Sequence, residues 1–217
     1  MAKKDLNQNG IYVQKLIDII EPNFAFSDNP INRFKIIESS KNQINHSKNE
    51  KLLKLKEKIS SIKDCNLKKN SKKLIFGDGN INSPVMLIGE SPGKIEDNSG
   101  LSFQGEVGDL LNKMLLAIDI KINEIYSTYS VNFRPPEDRK PTGQEIKRYS
   151  EFLKEHISII DPQIIILMGS TAMEAITGLN SKISNERGKW KEIILKDKTC
   201  ALMMTFSRSY LIRCPET

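Results

Sequence analysis

Cysteine and histidine are scarce in this chain of 217 residues, and aromatic residues make up only 6% of it. The three cysteines, Cys65, Cys200 and Cys214, are an odd number with no C-x-x-C pair. That excludes a disulfide framework and predicts a reduced, cytosolic setting. No apolar run approaches the roughly 18 residues that a transmembrane helix needs. Asp18 and Glu21 interrupt the Ile-rich patch near the N-terminus, so no signal-peptide apolar region forms there. Nothing predicts export or membrane contact, and a cytoplasmic monomer is expected. With so few aromatics, the core is expected to be mostly Ile and Leu.

Positive charge is present, and it is uneven. Residues 1–73 hold 16 Lys/Arg against 8 Asp/Glu, whereas residues 74–217 hold 17 against 19. A basic N-terminal third attracts nucleic-acid phosphates. It also fits a Lys/Asn-rich solvated extension, and the composition leaves both readings open.

Residues 11–20 place Tyr12, Val13, Leu16, Ile17 and Ile20 on one helical face before Pro22 and Pro30 break the pattern. Residues 39–50 are polar and aperiodic, which predicts a linker or disordered stretch with His46 solvated. Helical spacing resumes at Leu52, Leu53, Leu55 and Ile59. We therefore divide the chain into a basic extension, partly helical or disordered, over residues 1–49 and a folded domain over residues 50–217.

Within that domain apolar strands alternate with helices. Val85–Ile88, Ile125–Val131, Ile164–Met168 and residues 200–205 read as strands. Val107, Leu110, Leu111, Met114, Leu115 and Ile118 form one helical stripe. Thr142-Gly143-Gln144-Glu145 is a capping-box signature. It opens a helix whose inward residues are Ile146, Tyr149, Leu153, Ile157 and Ile160, with His156 on or near that face as a structural residue. The alternation predicts a three-layer α/β/α domain with a mostly parallel central sheet.

The first core strand runs into Gly89-Glu90-Ser91-Pro92-Gly93. A Gly/Pro-rich turn carrying one carboxylate after a strand presents a reactive group at the sheet edge. Ten residues on, Phe103 lies between glycines in Gly100-Leu101-Ser102-Phe103-Gln104-Gly105. A carboxylate and a flat ring on adjacent loops can hold and attack a planar heterocycle. Either residue also has a plain reading, Glu90 as a solvated turn residue and Phe103 as core.

These motifs, with Glu96-Asp97, Gly108-Asp109-Leu110-Leu111 and Arg134-Pro135-Pro136, resemble family 4 uracil-DNA glycosylases in order and spacing. The resemblance runs from about Leu55 to Arg213. It implies a uracil-DNA-glycosylase-like fold, DNA as partner, and hydrolysis of the N-glycosidic bond of a flipped base in base-excision repair. It also implies roles for individual residues. Glu90 would assist water or stabilise a cationic sugar, Gly89 would offer its backbone amide, and Phe103 would stack the base. Arg134, with Arg139 and Lys140 nearby, would clamp DNA phosphate, although a plain surface turn explains that loop equally.

Three departures accompany the resemblance. The family's edge-reading Asn, five residues before its Arg-Pro-Pro, corresponds to Tyr129. A phenol cannot reproduce an amide's paired donor and acceptor. Asn132 lies three residues away, and odd spacing in a strand points it to the other face. The family's Thr-x-His-Pro is Thr205-Phe206-Ser207-Arg208 here, so Ser207 replaces the donor to the departing base. Losing one such donor costs about 2.7–4 kcal/mol in the transition state. Arg208 and Ser209 fall in the loop that would enter DNA. The family's four cluster cysteines correspond to Ile62, Cys65, Phe133 and Tyr149, so one of four is kept. A [4Fe–4S] cluster normally takes four thiolates, so no cluster and no other metal is expected. Two functions follow: a divergent, impaired glycosylase for uracil or another damaged base, or an inactive descendant that binds DNA or a repair partner.

Overall fold

The computed structural model describes residues 33–195, 198–207 and 210. The chain divides into two compact units, residues 1–42 and 43–217, and the second carries the sheet. Its strands are β1 (Asp78–Gly79), β2 (Val85–Gly89), β3 (Tyr126–Tyr129), β4 (Ile164–Met168), β5 (Trp190–Leu195) and β6 (Lys198–Thr205). They lie in the order β1-β3-β2-β4-β6-β5. The four central strands β3, β2, β4 and β6 are parallel, and β1 and β5 pair antiparallel at the two edges. The chain belongs to the α/β class with a mostly parallel sheet, as the alternation predicts.

Strand periodicity sorts the side chains onto two faces. Met86 and Ile88 of β2 pack with Ile165 and Leu167 of β4 against helices α5 (Gly143–Ile160) and α6 (Ser170–Thr177). Leu87, Met168 and Tyr129 face the opposite side, where they meet α4 (Gly105–Leu116) and Phe103. Helix α3 (Lys94–Ser99) follows the turn after β2. The α4 stripe is narrower than its spacing predicts. Leu111 and Leu115 are buried, whereas Met114 and Ile118 are exposed. The predicted strand over 125–131 is shorter, Tyr126–Tyr129, and beyond it the Ser130 amide and hydroxyl both donate to the Gly89 carbonyl, each at 2.8 Å.

Helix α5 starts as its capping box dictates. The Glu145 amide donates to Thr142 Oγ1 (3.3 Å), and Glu145 Oε2 accepts from the Thr142 amide (2.7 Å). Its five predicted inward residues are all buried. His156 is buried beside them and bonds Tyr126 Oη through Nε2 at 2.8 Å.

Residues 39–50 are not a linker. They lie inside α1 (Arg33–Ser60), a stretch with no Gly or Pro to break it. Polar contacts hold this part of the helix. Lys48 Nζ donates to the Ile160 carbonyl at the end of α5 (2.8 Å), and Asn82 donates to Asn45 (2.7 Å). A cation at a helix C-terminus completes orphan carbonyls and suits the dipole. Further along, Leu52, Leu55 and Ile59 are buried and Leu53 is exposed. With α2 (Asn66–Asn70) contributing Leu67, the last turns of α1 pack on Val131, Phe133 and Tyr149. Among the described residues no helix is long and apolar enough to cross a membrane.

Candidate functional site

Parallel strands end together, and the loops after them line one edge of the sheet. Here those loops follow Gly89, Tyr129, Met168 and Thr205. Gly89 lets an aromatic ring lie on the backbone. A Cβ at this position would stand 2.8 Å from Cδ1 and Cε1 of Tyr129 and 3.2 Å from Phe103 Cε1. Phe103 has a left-handed backbone (φ 53°), and its ring centroid is 4.9 Å from that of Tyr129 at an angle of 31°. Both rings are almost fully buried, at 3% and 1% exposure.

The Tyr129 hydroxyl ties three segments together. It accepts from the Phe103 amide at 3.0 Å and donates to Glu96 Oε1 at 3.1 Å. Glu96 is itself buried and accepts from the amides of Gly93 (3.0 Å) and Gln104 (3.3 Å). Glu96 was legible only as part of a motif. Its position at the third residue of α3, just after Gly93, is the capping pattern that marks it.

Glu90 sits on the other side of the same turn. Its Oε1 accepts from the Thr171 amide (3.1 Å) and from Ser170 Oγ (3.4 Å) at the start of α6. Amides at a helix start favour a carboxylate. Gly169 makes the approach possible: its φ is +102°, and a Cβ there would lie 2.3 Å from Glu90 Cδ. Glu90 is therefore a positioned, half-buried carboxylate and not a free turn residue. The signal for Gly169-Ser170-Thr171 was a glycine turn directly after a fully apolar strand.

The loop cations are engaged within the protein. Arg134 forms a bidentate pair with Asp138 (2.6 and 2.7 Å), and Arg139 does so with Glu145 (2.9 and 2.8 Å). Each guanidinium holds its partner's carboxyl below the ordinary carboxylate range, chiefly through the hydrogen bonds. Ser207 is half-buried after β6, and its Oγ accepts from the Tyr210 amide at 3.3 Å. Arg208, Ser209 and Cys214 lie outside the described residues. The structure thus brings Gly89, Phe103 and Tyr129 together, with Glu90 on the adjoining turn. Asn132 is used elsewhere, donating to the carbonyls of Ile75 (2.9 Å) and Phe76 (3.3 Å).

The family model that matches residues 76–217 is that of the uracil DNA glycosylase superfamily. The chain belongs to this superfamily. Several of the similar relatives are type-4 uracil-DNA glycosylases. The type-4 uracil-DNA glycosylase of Thermotoga maritima is 32% identical over 158 residues, covering 72% of this chain and 81% of the relative. That of Sulfurisphaera tokodaii is 34% identical over 165 residues, covering 72% and 74%. A DNA polymerase of Bacillus phage SP01 is 32% identical over 128 residues, which is 58% of this chain and 14% of the polymerase.

These relatives correct one expectation. Type-4 uracil-DNA glycosylases are the family known to bind an iron–sulfur cluster, so membership speaks against treating this chain as cluster-free from its cysteine count. The four matching positions do not by themselves make the thiolate set. Cys65 Sγ lies 3.3 Å from Tyr149 Oη, and Phe133 meets Tyr149 edge-on at 6.5 Å. Ile62 packs against the same apolar group, with Leu55, Ile59 and Leu67. Among the described residues no group of three or more His, Cys, Asp and Glu is arranged to hold a metal ion.

Proposed function

We propose that this uracil-DNA glycosylase superfamily protein acts on DNA and excises uracil much more slowly than its type-4 relatives. One observation carries the reading: the ring of Tyr129 lies against Phe103, the ring on which a flipped base would stack. A base must enter such a pocket to be cut from its sugar, and Phe103 is only 3% exposed. The remaining chemistry fits the retained carboxylate. Glu90, steadied by Thr171 and Ser170, would face the sugar as cationic character grows and orient the attacking water. Ser207 would donate to the departing base with a shorter reach than an imidazole.

The test is excision from a labelled oligonucleotide with one uracil, single- and double-stranded, followed by alkaline cleavage of abasic sites. The expected rate is about 10²–10³ below that of the T. maritima relative, the cost of one missing donor. Glu90→Gln should remove what remains. A rate equal to the relative's overturns the proposal.

The similarity to part of a phage DNA polymerase favours a second reading, a DNA- or partner-binding module without excision. In that case DNA affinity would depend steeply on salt through the lysines of residues 51–73, and no abasic product would form.

A further inference from the structure

The Tyr129 phenol makes two contacts of opposite sense at one point. Its oxygen accepts from the Phe103 amide at 3.0 Å, and its proton goes to Glu96 Oε1 at 3.1 Å. A hydroxyl can do both because it is donor and acceptor together. The edge of a lactam, C=O beside N–H, offers the same pair on adjacent atoms. Tyr129 also presents a flat ring to Phe103 at a separation within the stacking range. Its other side lies on Gly89, where the missing Cβ leaves room for a flat body of any kind. In its hydrogen bonds, and in a ring that lies 4.9 Å from Phe103 at a tilt of 31°, the side chain offers what a planar heterocycle offers.

We propose that Tyr129 is a displaceable internal occupant of the base site, and that the Phe103 amide and the Glu96 carboxylate behind it read a lactam edge. The proposal rests on the reading of this strand-end site as the base site, and it adds how the site is closed and what selects its ligand. Glu96 becomes a specificity residue. A carboxylate oxygen takes an N–H and repels a ring nitrogen lone pair, so uracil-like and hypoxanthine-like edges fit and an acceptor at that position does not. The carboxylate stays oriented without Tyr129, because the Gly93 and Gln104 amides also hold it. Withdrawing the phenol therefore leaves a polar, preoriented cavity floored by an aromatic ring. Such a cavity binds a matching ligand instead of staying dry.

Free bases test this without any glycosidic chemistry. Uracil, 3-methyluracil and phenol are titrated calorimetrically into the wild type, Tyr129→Ala and Tyr129→Asn, each checked for cooperative unfolding. Tyr129→Ala should bind uracil at least about tenfold more tightly than the wild type. Phenol, the shape of the deleted side chain, should bind it too. The 3-methyl compound lacks the N–H and should bind about tenfold more weakly than uracil. A folded Tyr129→Ala that takes neither uracil nor phenol overturns the internal occupant, and the excision assay on the wild type still judges the functional reading separately. Equal binding of uracil and its 3-methyl derivative overturns the role of Glu96. Tyr129→Asn keeps a polar side chain at the position and serves where the alanine variant does not fold. Native-state hydrogen exchange on the wild type needs no variant. A displaceable phenol lets the Phe103 amide exchange through a local opening, below the free energy of global unfolding. Exchange only by global unfolding overturns the proposal.

Discussion

Tyr126 and Tyr129 lie three residues apart on β3, equally buried, on opposite faces of the sheet. Tyr126 faces α5. It bonds His156, whose ring stacks on Phe76 with centroids 4.4 Å apart. Tyr129 faces α4 and bonds the Phe103 amide and Glu96. Burial raises the Tyr126 phenol well above its ordinary range, with the nearby Asp78 charge adding to it. The two residues have the same chemistry and the same burial. They differ in place. Tyr129 stands at the C-terminal end of its strand, beside Gly89, where loops converge, whereas Tyr126 stands at the strand's start, under a helix. Position on the sheet, not residue type, separates the phenol packed under a helix from the one set among the strand-end loops.

Acid should act on the Tyr126 side first and most strongly. Burial pushes the His156 pKa from 6.5 down to about 3. The unfolded chain therefore takes up this proton before the folded one does. Stability contributed by His156 is full above pH 6.5 and falls as pH drops towards 3, by about 1.4 kcal/mol per unit. Urea unfolding between pH 7 and 5 should show a loss of about 2 kcal/mol, and His156→Asn should flatten that slope. A wild-type midpoint that does not move would mean that His156 is not held neutral by burial.

The two phenols can also be compared directly. Tyr126→Phe and Tyr129→Phe should each cost about 1.5 kcal/mol, because each strands buried partners. Only the second should speed amide exchange at Phe103, since only that phenol latches the loop. Equal exchange in both variants would erase the distinction between the faces.

The smallest effect is expected at the rim. Asp138→Ala frees the Arg134 guanidinium at a stability cost below about 1 kcal/mol. DNA affinity should rise modestly, and the salt slope should steepen by about one phosphate contact. An unchanged slope would mean that Arg134 does not face DNA.

Much of this was legible in the chain. The capping box at Thr142–Glu145, the continuous apolar strand Ile164–Met168 and the Gly/Pro-rich turn after Val85–Ile88 are local signals, and each appears where its chemistry places it. The helix through residues 39–50 was not legible. It has no apolar stripe there and is held by Lys48 and Asn45 reaching residues far along the chain. The narrowing of the α4 stripe was likewise invisible, because spacing shows which residues share a face but not how much of it a neighbour covers.

At the site the division is the same. From sequence alone came the family motifs, the turn that carries Glu90, the ring of Phe103 and the replacement of an amide by Tyr129. These are matters of residue identity and short-range spacing. The tertiary structure decided that Glu90 is held by Thr171, 81 residues away, and that Asp138 occupies Arg134. It also decided that the Tyr129 ring turns onto Phe103 and not into solvent. Hydrogen bonds and ring contacts between distant segments exist only once the strands are side by side. A side chain takes the partner that the assembled loops place within reach, and no local pattern encodes that choice.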